Sequence, residues 1–300
     1  MKEFPLYGAL DIGSNAARIL FANVIPIESE LYIYKNSLLR LPLRLGEDVY
    51  DKGKLSPKKI RSLIDTLKVF ESLIRIYKPV DFAVYATAAI REAKNSDSVM
   101  DLLKQETGFD IHVIDGYEEA RIIKELYAKK GDPNNCKFMA DLGGGSLELT
   151  VICPGGHFVS ESFKIGAVRA LKSGNSESEF AKMREWLQKE LPEDRSKVYF
   201  IGTGGNINTM KNTFTSPTVD YMMISELKKI YENLQPLNIS SRIKKYNLRP
   251  DRADVIVPAA DIFYNLMHFT GIMKVFVPGG GLSDGIVLEL HKKHKKIKSL

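Results

Sequence analysis

Apolar and polar positions divide this 300-residue chain into two stretches built to the same plan. The first opens on an apolar run from Phe4 to Leu10, breaks at Asp11-Ile12-Gly13-Ser14-Asn15 and resumes from Ile19 to Ile25. That pattern predicts two strands around a tight turn. Leu31 to Leu45 keeps the strand character until Gly46 and Gly53 interrupt it. Ser56-Pro57 reads as a helix start, an N-cap residue followed by proline at the first helical position. Beyond it Ile60, Leu63, Ile64, Leu67, Phe70, Leu73, Ile74 and Tyr77 recur at helical spacing. Pro79 ends that helix. A strand is expected over 82–87, a helix over 96–107 closed by Gly108, and a strand over 111–114.

The second stretch repeats the order. Residues 138–141 predict a strand, Gly143-Gly144-Gly145 a turn and 147–153 the returning strand, with Gly155-Gly156 leading a further hairpin into 158–163. Helices are expected over 117–130, 178–191, 206–214, 225–234 and 252–268, strands over 198–201 and 275–277, and a last helix from Leu282. The turns Asp11-Ile12-Gly13 and Asp141-Leu142-Gly143 lie 130 residues apart, each at the head of its stretch. Two related α/β domains facing one another across a cleft follow as the expectation, since clefts between domains take small ligands. The boundaries drawn are 1–123, joined by the final helix at about 285–300, and 124–284.

Composition removes several classes of protein. Hydrophobic residues make up 44% and charged residues 27%, which is globular rather than disordered. No apolar run approaches the ~18–20 residues of a membrane span, and Glu3 and Asp11 interrupt any leader-like segment. The two cysteines, Cys136 and Cys153, are too few for a disulfide framework or a zinc cage, so reduced thiols in a cytoplasmic protein are expected. The net charge of +6 does not point to nucleic acid. Five lysines lie in the last ten residues, leaving +1 for residues 1–290, and the basic segment is expected to be a solvated tail. His291 and His294 in that tail have no acidic or thiol neighbours and are given no metal.

The chemistry is carried by four glycine turns that follow strands: Asp11–Asn15, Asp141–Ser146, Gly202-Thr-Gly-Gly-Asn206 and Gly279-Gly-Gly281. Glycine lets the backbone approach a ligand closely, and successive amides form a concave nest for an anion such as phosphate. Asp11 and Asp141 at strand tips suit a cation held against those phosphates. A P-loop is absent, Ile207 stands where a dinucleotide motif needs its third glycine, and Glu148 stands where a serine-esterase elbow needs glycine. In the helix over 117–130, Glu119 shares a face with Ile122, Ile123 and Leu126, whereas Glu118 lines up with Arg121 and Glu125. An acid on an apolar face is costly without a task or partner, which marks Glu119 and leaves Glu118 to the helix dipole. On the strand after the triple glycine Leu147, Leu149 and Val151 face one way, so Glu148 and Thr150 face the other.

In this order the pieces resemble the exopolyphosphatase / guanosine pentaphosphatase (Ppx/GppA) phosphatase family, of the acetate and sugar kinase / actin-like (ribonuclease H-like) superfamily. The matching stretches are Asp11–Asn15, Arg44-Leu-Gly-Glu47 with Gly53–Ser56, Ala86–Arg91, Gly116-Tyr-Glu-Glu-Ala-Arg121 and Asp141–Ser146 with Glu148. Gly202–Gly205, Leu248–Arg252 with Val255–Pro258 and Gly279–Gly285 complete the set, so the resemblance spans the chain in its short two-domain form. It implies Mg²⁺-assisted hydrolysis of a terminal phosphoanhydride of polyphosphate or guanosine pentaphosphate, without a phosphorylated enzyme. In it Glu119 looks like the general base, and Glu148, Asp141 and Asp11 like the metal-side acids. Ser14, Asn15, Gly143, Gly144, Ser146 and Gly205 would cradle phosphates, and Arg91 and Arg18 would neutralise them. A homodimer is implied, with no nucleic acid or membrane partner. The chain departs from the family at Ala16, where serine is common, and at Ser283-Asp284. A kinase or ATPase of the same superfamily and a non-catalytic guanosine-phosphate-binding module are the alternatives. The first lacks a reason for the Glu119/Glu148 pair, and retention of both acids argues against the second.

Overall fold

The computed structural model describes residues 4–28 and 30–298. The chain divides into two compact units, Met1–Ala128 with Gly280–Leu300, and Lys129–Gly279.

The first unit begins with a three-stranded meander, β1 (Leu6–Ile12), β2 (Ala17–Ile27) and β3 (Glu30–Leu41). It continues through α1 (Leu45–Lys52), α2 (Pro57–Tyr77), β4 (Asp81–Ala86), α3 (Ala88–Arg91), α4 (Ser96–Thr107), β5 (Ile111–Val113) and α5 (Gly116–Tyr127). The sheet order is β3-β2-β1-β4-β5, antiparallel within the meander and parallel from β1 to β5. The expected start of α2 is realised: Ser56 caps it by accepting from the Lys59 amide, and Pro57 occupies the first position. Its apolar stripe covers one sheet face, where Phe70 meets Phe21, Phe82 and Phe109 and Tyr77 stacks on Phe21. Parallel strands place their carboxyl ends together. The turn after β1, Arg91 after β4 and the start of α5 after β5 therefore sit at one edge of this sheet, tied by Thr87 N–H to Ile12 O and Ile114 N–H to Ala86 O.

The second unit repeats that plan. Its meander is β6 (Cys136–Leu142), β7 (Leu147–Cys153) and β8 (His157–Phe163), followed by α6 (Ala167–Lys172), α7 (Glu177–Glu190), β9 (Val198–Thr203) and α8 (Gly205–Phe214). Then come β10 (Tyr221–Met223), α9 (Ile224–Leu234), α10 (Ile239–Tyr246), α11 (Pro250–Ala253), α12 (Ile256–Thr270) and β11 (Lys274–Phe276). The order is β10-β11-β9-β6-β7-β8, with β6, β9 and β11 parallel. Phe138 stacks on Phe200 in the core, and Phe263 of α12 is buried. The last helix, α13 (Leu282–Lys298), belongs to the first unit, packing against β1, β2 and α5. No helix among the described residues is long and apolar enough to cross a membrane.

Several expectations are corrected. The strand read as running to Leu45 ends at Leu41, and α1 takes over. Gly46 looked like a breaker, yet it lies inside a helix that starts at a left-handed Arg44 and stops at a left-handed Gly53. The helix expected over 252–268 is two, α11 and α12. The cysteines are not reduced thiols: Cys136 and Cys153 form a disulfide with Cα atoms 4.2 Å apart. The antiparallel register pairing Lys137 with Ile152 sets the two cysteines opposite one another at the open end of the β6–β7 hairpin, a relation that cysteine counting does not reveal. The basic segment is not a solvated tail throughout. It forms the last turns of α13, where His291 is 3% exposed and accepts from or donates to Tyr7 Oη through Nδ1 at 3.2 Å. The end of that expected tail, residues 299–300, lies outside the described residues.

Candidate active site

In the first unit the β1–β2 turn is closed by Gly13 N–H donating to Ala16 O at 3.1 Å. Asp11, Ser14 and Asn15 are all buried. Asp11 Oδ2 accepts from Arg18 Nη1 at 2.7 Å across the strand pair. Burial pushes the Asp11 carboxyl above the ordinary range, against the pull of Arg18, and nearby Asp284 adds to the rise. Asp284, one of the family departures, caps α13 by accepting from the Gly281 amide at 3.0 Å and pairs with Lys35 at 2.7 Å. The Arg44–Glu47 motif braces the turn from outside: Arg44 N–H donates to Asn15 O at 2.9 Å and Gly46 N–H to Ser14 O at 2.8 Å.

Glu119 stands in the first turn of α5, capped by Asp115, which accepts from the Glu118 amide at 2.8 Å. The two neighbouring acids part as the helix face requires. Glu119 is 8% exposed, whereas Glu118 is half-exposed and held by two bonds from Arg121 at 2.7 Å, which keep its carboxyl below the usual range. Arg91, half-buried, donates from Nη1 to Ile114 O at 2.6 Å and so ties the end of β4 to the end of β5.

In the second unit the equivalent turn is closed by Gly143 N–H to Ser146 O at 3.0 Å. The carbonyls of Gly143 and Gly144 accept from the amides of Ala167, Val168 and Arg169 at the start of α6, and Gly145 O accepts from Arg169 Nε at 2.7 Å. In a trans peptide the N–H opposes the preceding carbonyl, so the amides of Gly144, Gly145 and Ser146 aim away from α6. Those N–H groups form a lobe of the kind that accepts an anion. Gly166 makes the approach possible, because a Cβ there would fall 2.4 Å from Gly144 O. Gly204, at φ +105°, passes so close to β6 that a Cβ would meet Leu142 O at 2.5 Å, and Gly205 opens α8 directly after it. Buried Arg252 holds the first turn of α8 by donating to Asn206 Oδ1 at 2.9 Å.

The two units differ in what stands opposite the turn aspartate. In the first, Asp11 faces Arg18; in the second, Asp141 faces Glu148. Asp141 Oδ1 accepts from Thr203 Oγ1 at 2.7 Å, and Glu148 Oε1 from Ser162 Oγ at 2.9 Å. Glu148 is 2% exposed, and the pair offers carboxylate oxygens within 4.8 Å of each other. Two acids side by side on one strand pair, one of them buried, are costly as bare anions, and hard oxygen donors suit a hard cation. This acidic pair can bind a metal ion. The hydroxyls of Thr203 and Ser162 fix its geometry in the manner of outer-shell ligand supports.

Reading the sequence pointed to the turns, Glu119, Asp141 and Glu148 but missed Thr203, Ser162, Gly166, Arg169, Gly204 and Arg252. Thr203, Gly204 and Arg252 lie inside motifs already noticed. Gly166 and Arg169 carried no signal because α6 was not expected, and Ser162, in a strand that was expected, because its place opposite Glu148 depends on register.

A five-stranded and a six-stranded mixed sheet with this repeated meander, each bearing an Asp-x-Gly turn at the carboxyl ends of its parallel strands, make this an α/β protein of two like units. The chain belongs to the Ppx/GppA phosphatase family, whose profile matches residues 37–294. It is 25% identical over 303 residues to a guanosine-5′-triphosphate,3′-diphosphate pyrophosphatase of Aliivibrio fischeri, covering 94% of this chain and 58% of that relative. It is 24% identical over 304 residues to exopolyphosphatase 1 of Mycobacterium tuberculosis, covering 94% and 87% respectively. The chain thus spans just under three fifths of the length of the first relative. The crystal structure of the Aquifex aeolicus member of the family superposes with a TM-score of 0.73 at 25% identity, over 97% of this chain and 99% of that one. An exopolyphosphatase from Cytophaga hutchinsonii shares the fold, with a TM-score of 0.78 at 18% identity over 96% of this chain and 98% of that one.

Proposed function

We propose that this protein releases orthophosphate from the terminal phosphoanhydride of inorganic polyphosphate or guanosine pentaphosphate by attack of water. The observation that carries the reading is the acid-against-acid register of Asp141 and Glu148 beside a triple-glycine turn, where the equivalent position of the first unit has an acid against an arginine. A terminal phosphate brings dense negative charge, and phosphoryl transfer depends on neutralising and positioning that charge more than on covalent chemistry.

In this reading Asp141 and Glu148 would hold Mg²⁺, which when bound would offset charge on the phosphoryl oxygens. The amides of Gly144, Gly145 and Ser146, in the turn that Gly143 closes, grip the phosphates, with Ser14, Asn15 and Gly205 contributing further donors and Arg18 and Arg91 supplying positive charge. Glu119 takes the proton from the attacking water as general base, a role suited to a carboxylate kept from bulk solvent. The names of the similar proteins supply the substrate classes. A homodimer acting on these polyanions completes the proposal.

The deciding assay measures phosphate release from polyphosphate, guanosine pentaphosphate and ATP side by side, with Mg²⁺ and with a chelator. Release from at least one of the first two, lost with the chelator and far slower from ATP, is expected. ATP as the preferred substrate, or no release from any, overturns the reading.

A further inference from the structure

Ser14 sits at the tip of the β1–β2 turn with 3% of its surface exposed, and three bonds reach its segment from the chain around α1. Two are main-chain bonds, from Arg44 and Gly46, that any residue could make. The third is specific: Tyr50 Oη lies 2.7 Å from Ser14 Oγ, both groups buried. Tyr50 follows Gly46 by four residues in α1, so its side chain leans back over Gly46. A Cβ on Gly46 would fall 2.6 Å from Tyr50 Cε2 and 3.2 Å from Ser14 Cβ. Glycine at 46 is what allows the ring to close over the turn. This accounts for the Gly46 that looked like a strand breaker in the sequence.

A hydroxyl has one proton to give and two lone pairs to fill. A phenol is a better donor than an aliphatic alcohol, so the favoured arrangement has Tyr50 donating to Ser14 Oγ. That occupies one lone pair and leaves the serine proton to be given elsewhere. A serine that accepts one hydrogen bond donates a stronger one, because bonds in a chain polarise each other.

Building on the phosphate-binding role proposed for Ser14, we infer that Tyr50 is a positioning residue. It orients the Ser14 hydroxyl to donate to a phosphate oxygen, while Gly46 supplies the room for it to do so. Tyr50 touches no substrate in this scheme and acts only through Ser14.

The test is a double-mutant cycle on the full chain, read by calorimetric binding of tripolyphosphate with Mg²⁺ to Tyr50→Phe, Ser14→Ala and the double variant, each first shown to melt cooperatively. Tyr50→Phe is expected to weaken binding about tenfold, the scale of a charge-assisted hydrogen bond, in the unaltered background and less than twofold in Ser14→Ala. Gly46→Ala is expected to reproduce the Tyr50→Phe loss, because it displaces the ring while leaving the main-chain bonds. In turnover the Tyr50→Phe defect should fall on KM, with kcat reduced less than twofold. Equal losses in both backgrounds would show general loosening of α1 and overturn the inference, as would unchanged affinity in Tyr50→Phe or no tripolyphosphate binding by the unaltered chain. Tripolyphosphate binding with this coupling but no phosphate release from any substrate would instead reject only the hydrolytic reading.

Discussion

Asp141 and Glu148 show how one register position changes what a turn can do. Asp11 has Arg18 across the strand at 2.7 Å and is balanced within the protein, whereas Asp141 has another acid across from it. At the same scale Glu118 and Glu119 are chemically identical neighbours with opposite surroundings. Arg121 pairs with Glu118, and Glu119 shares the buried side of α5 with Ile122 and Ile123. If Glu119 is the base, Glu119→Gln keeps the shape and the hydrogen-bonding reach but not the proton acceptance. Phosphate release should then fall by roughly 10²–10⁴-fold, the range ascribed to general base catalysis, while tripolyphosphate affinity changes little. Turnover within a few-fold of the unaltered chain would remove Glu119 from that role.

At the scale of elements, each meander is a platform whose closed end carries chemistry and whose open end must be held. The β6–β7 hairpin closes at Gly143–Ser146 and is stapled at its other end by Cys136–Cys153, seventeen residues apart in sequence. A loop of this size closed in the unfolded chain is worth about 3 kcal/mol. For a domain of roughly 150 residues that corresponds to a melting shift of about 6–12 °C. Reductant should therefore lower the melting transition by this order, and Cys136→Ser with Cys153→Ser should show the same lowered transition with or without it. Thiol titration of the untreated, unfolded chain should find no free thiols; two would mean that the bridge does not form in solution. α5 is held at a similar level of organisation: Arg121 joins Glu118 to Glu289 of α13, and Lys292 of α13 pairs with Glu125.

For the whole molecule the telling feature is the return of the last helix to the first unit. Tyr7 and His291 meet although 284 residues separate them. The imidazole is buried against β1, with His294 and Lys295 of its own helix nearby, and burial, then Lys295 and His294, push its pKa below 6.5. Because the unfolded chain binds this proton more readily, the contribution of His291 to stability is intact above about pH 6.5. It is lost progressively as pH falls from there toward the depressed folded value. Thermal melts at intervals between pH 7.5 and about 5 should therefore show a decline that flattens in His291→Gln. An unchanged slope in that variant would assign the decline to other groups. A deletion from residue 291 onward, attractive if the segment were a solvated tail, removes this contact and should destabilise the first unit.

What the amino-acid sequence determined by itself was local. Hydrophobic period separated strands from helices, Ser56-Pro57 and Gly108 marked helix ends, and the alternation along α5 chose Glu119 over Glu118, because each of these depends on residues a few positions apart. The repeated Asp-Gly turns made the two-part plan visible for the same reason. α1 escaped notice because eight residues with an internal glycine carry too little periodic signal. Tertiary structure alone decided the partnerships: cysteine with cysteine, Thr203 with Asp141, Tyr50 with Ser14, Tyr7 with His291. Those depend on strand register and on the docking of distant segments. Their free energy comes from contacts that exist only once backbone entropy has been lost throughout the fold, and no short window of residues contains them.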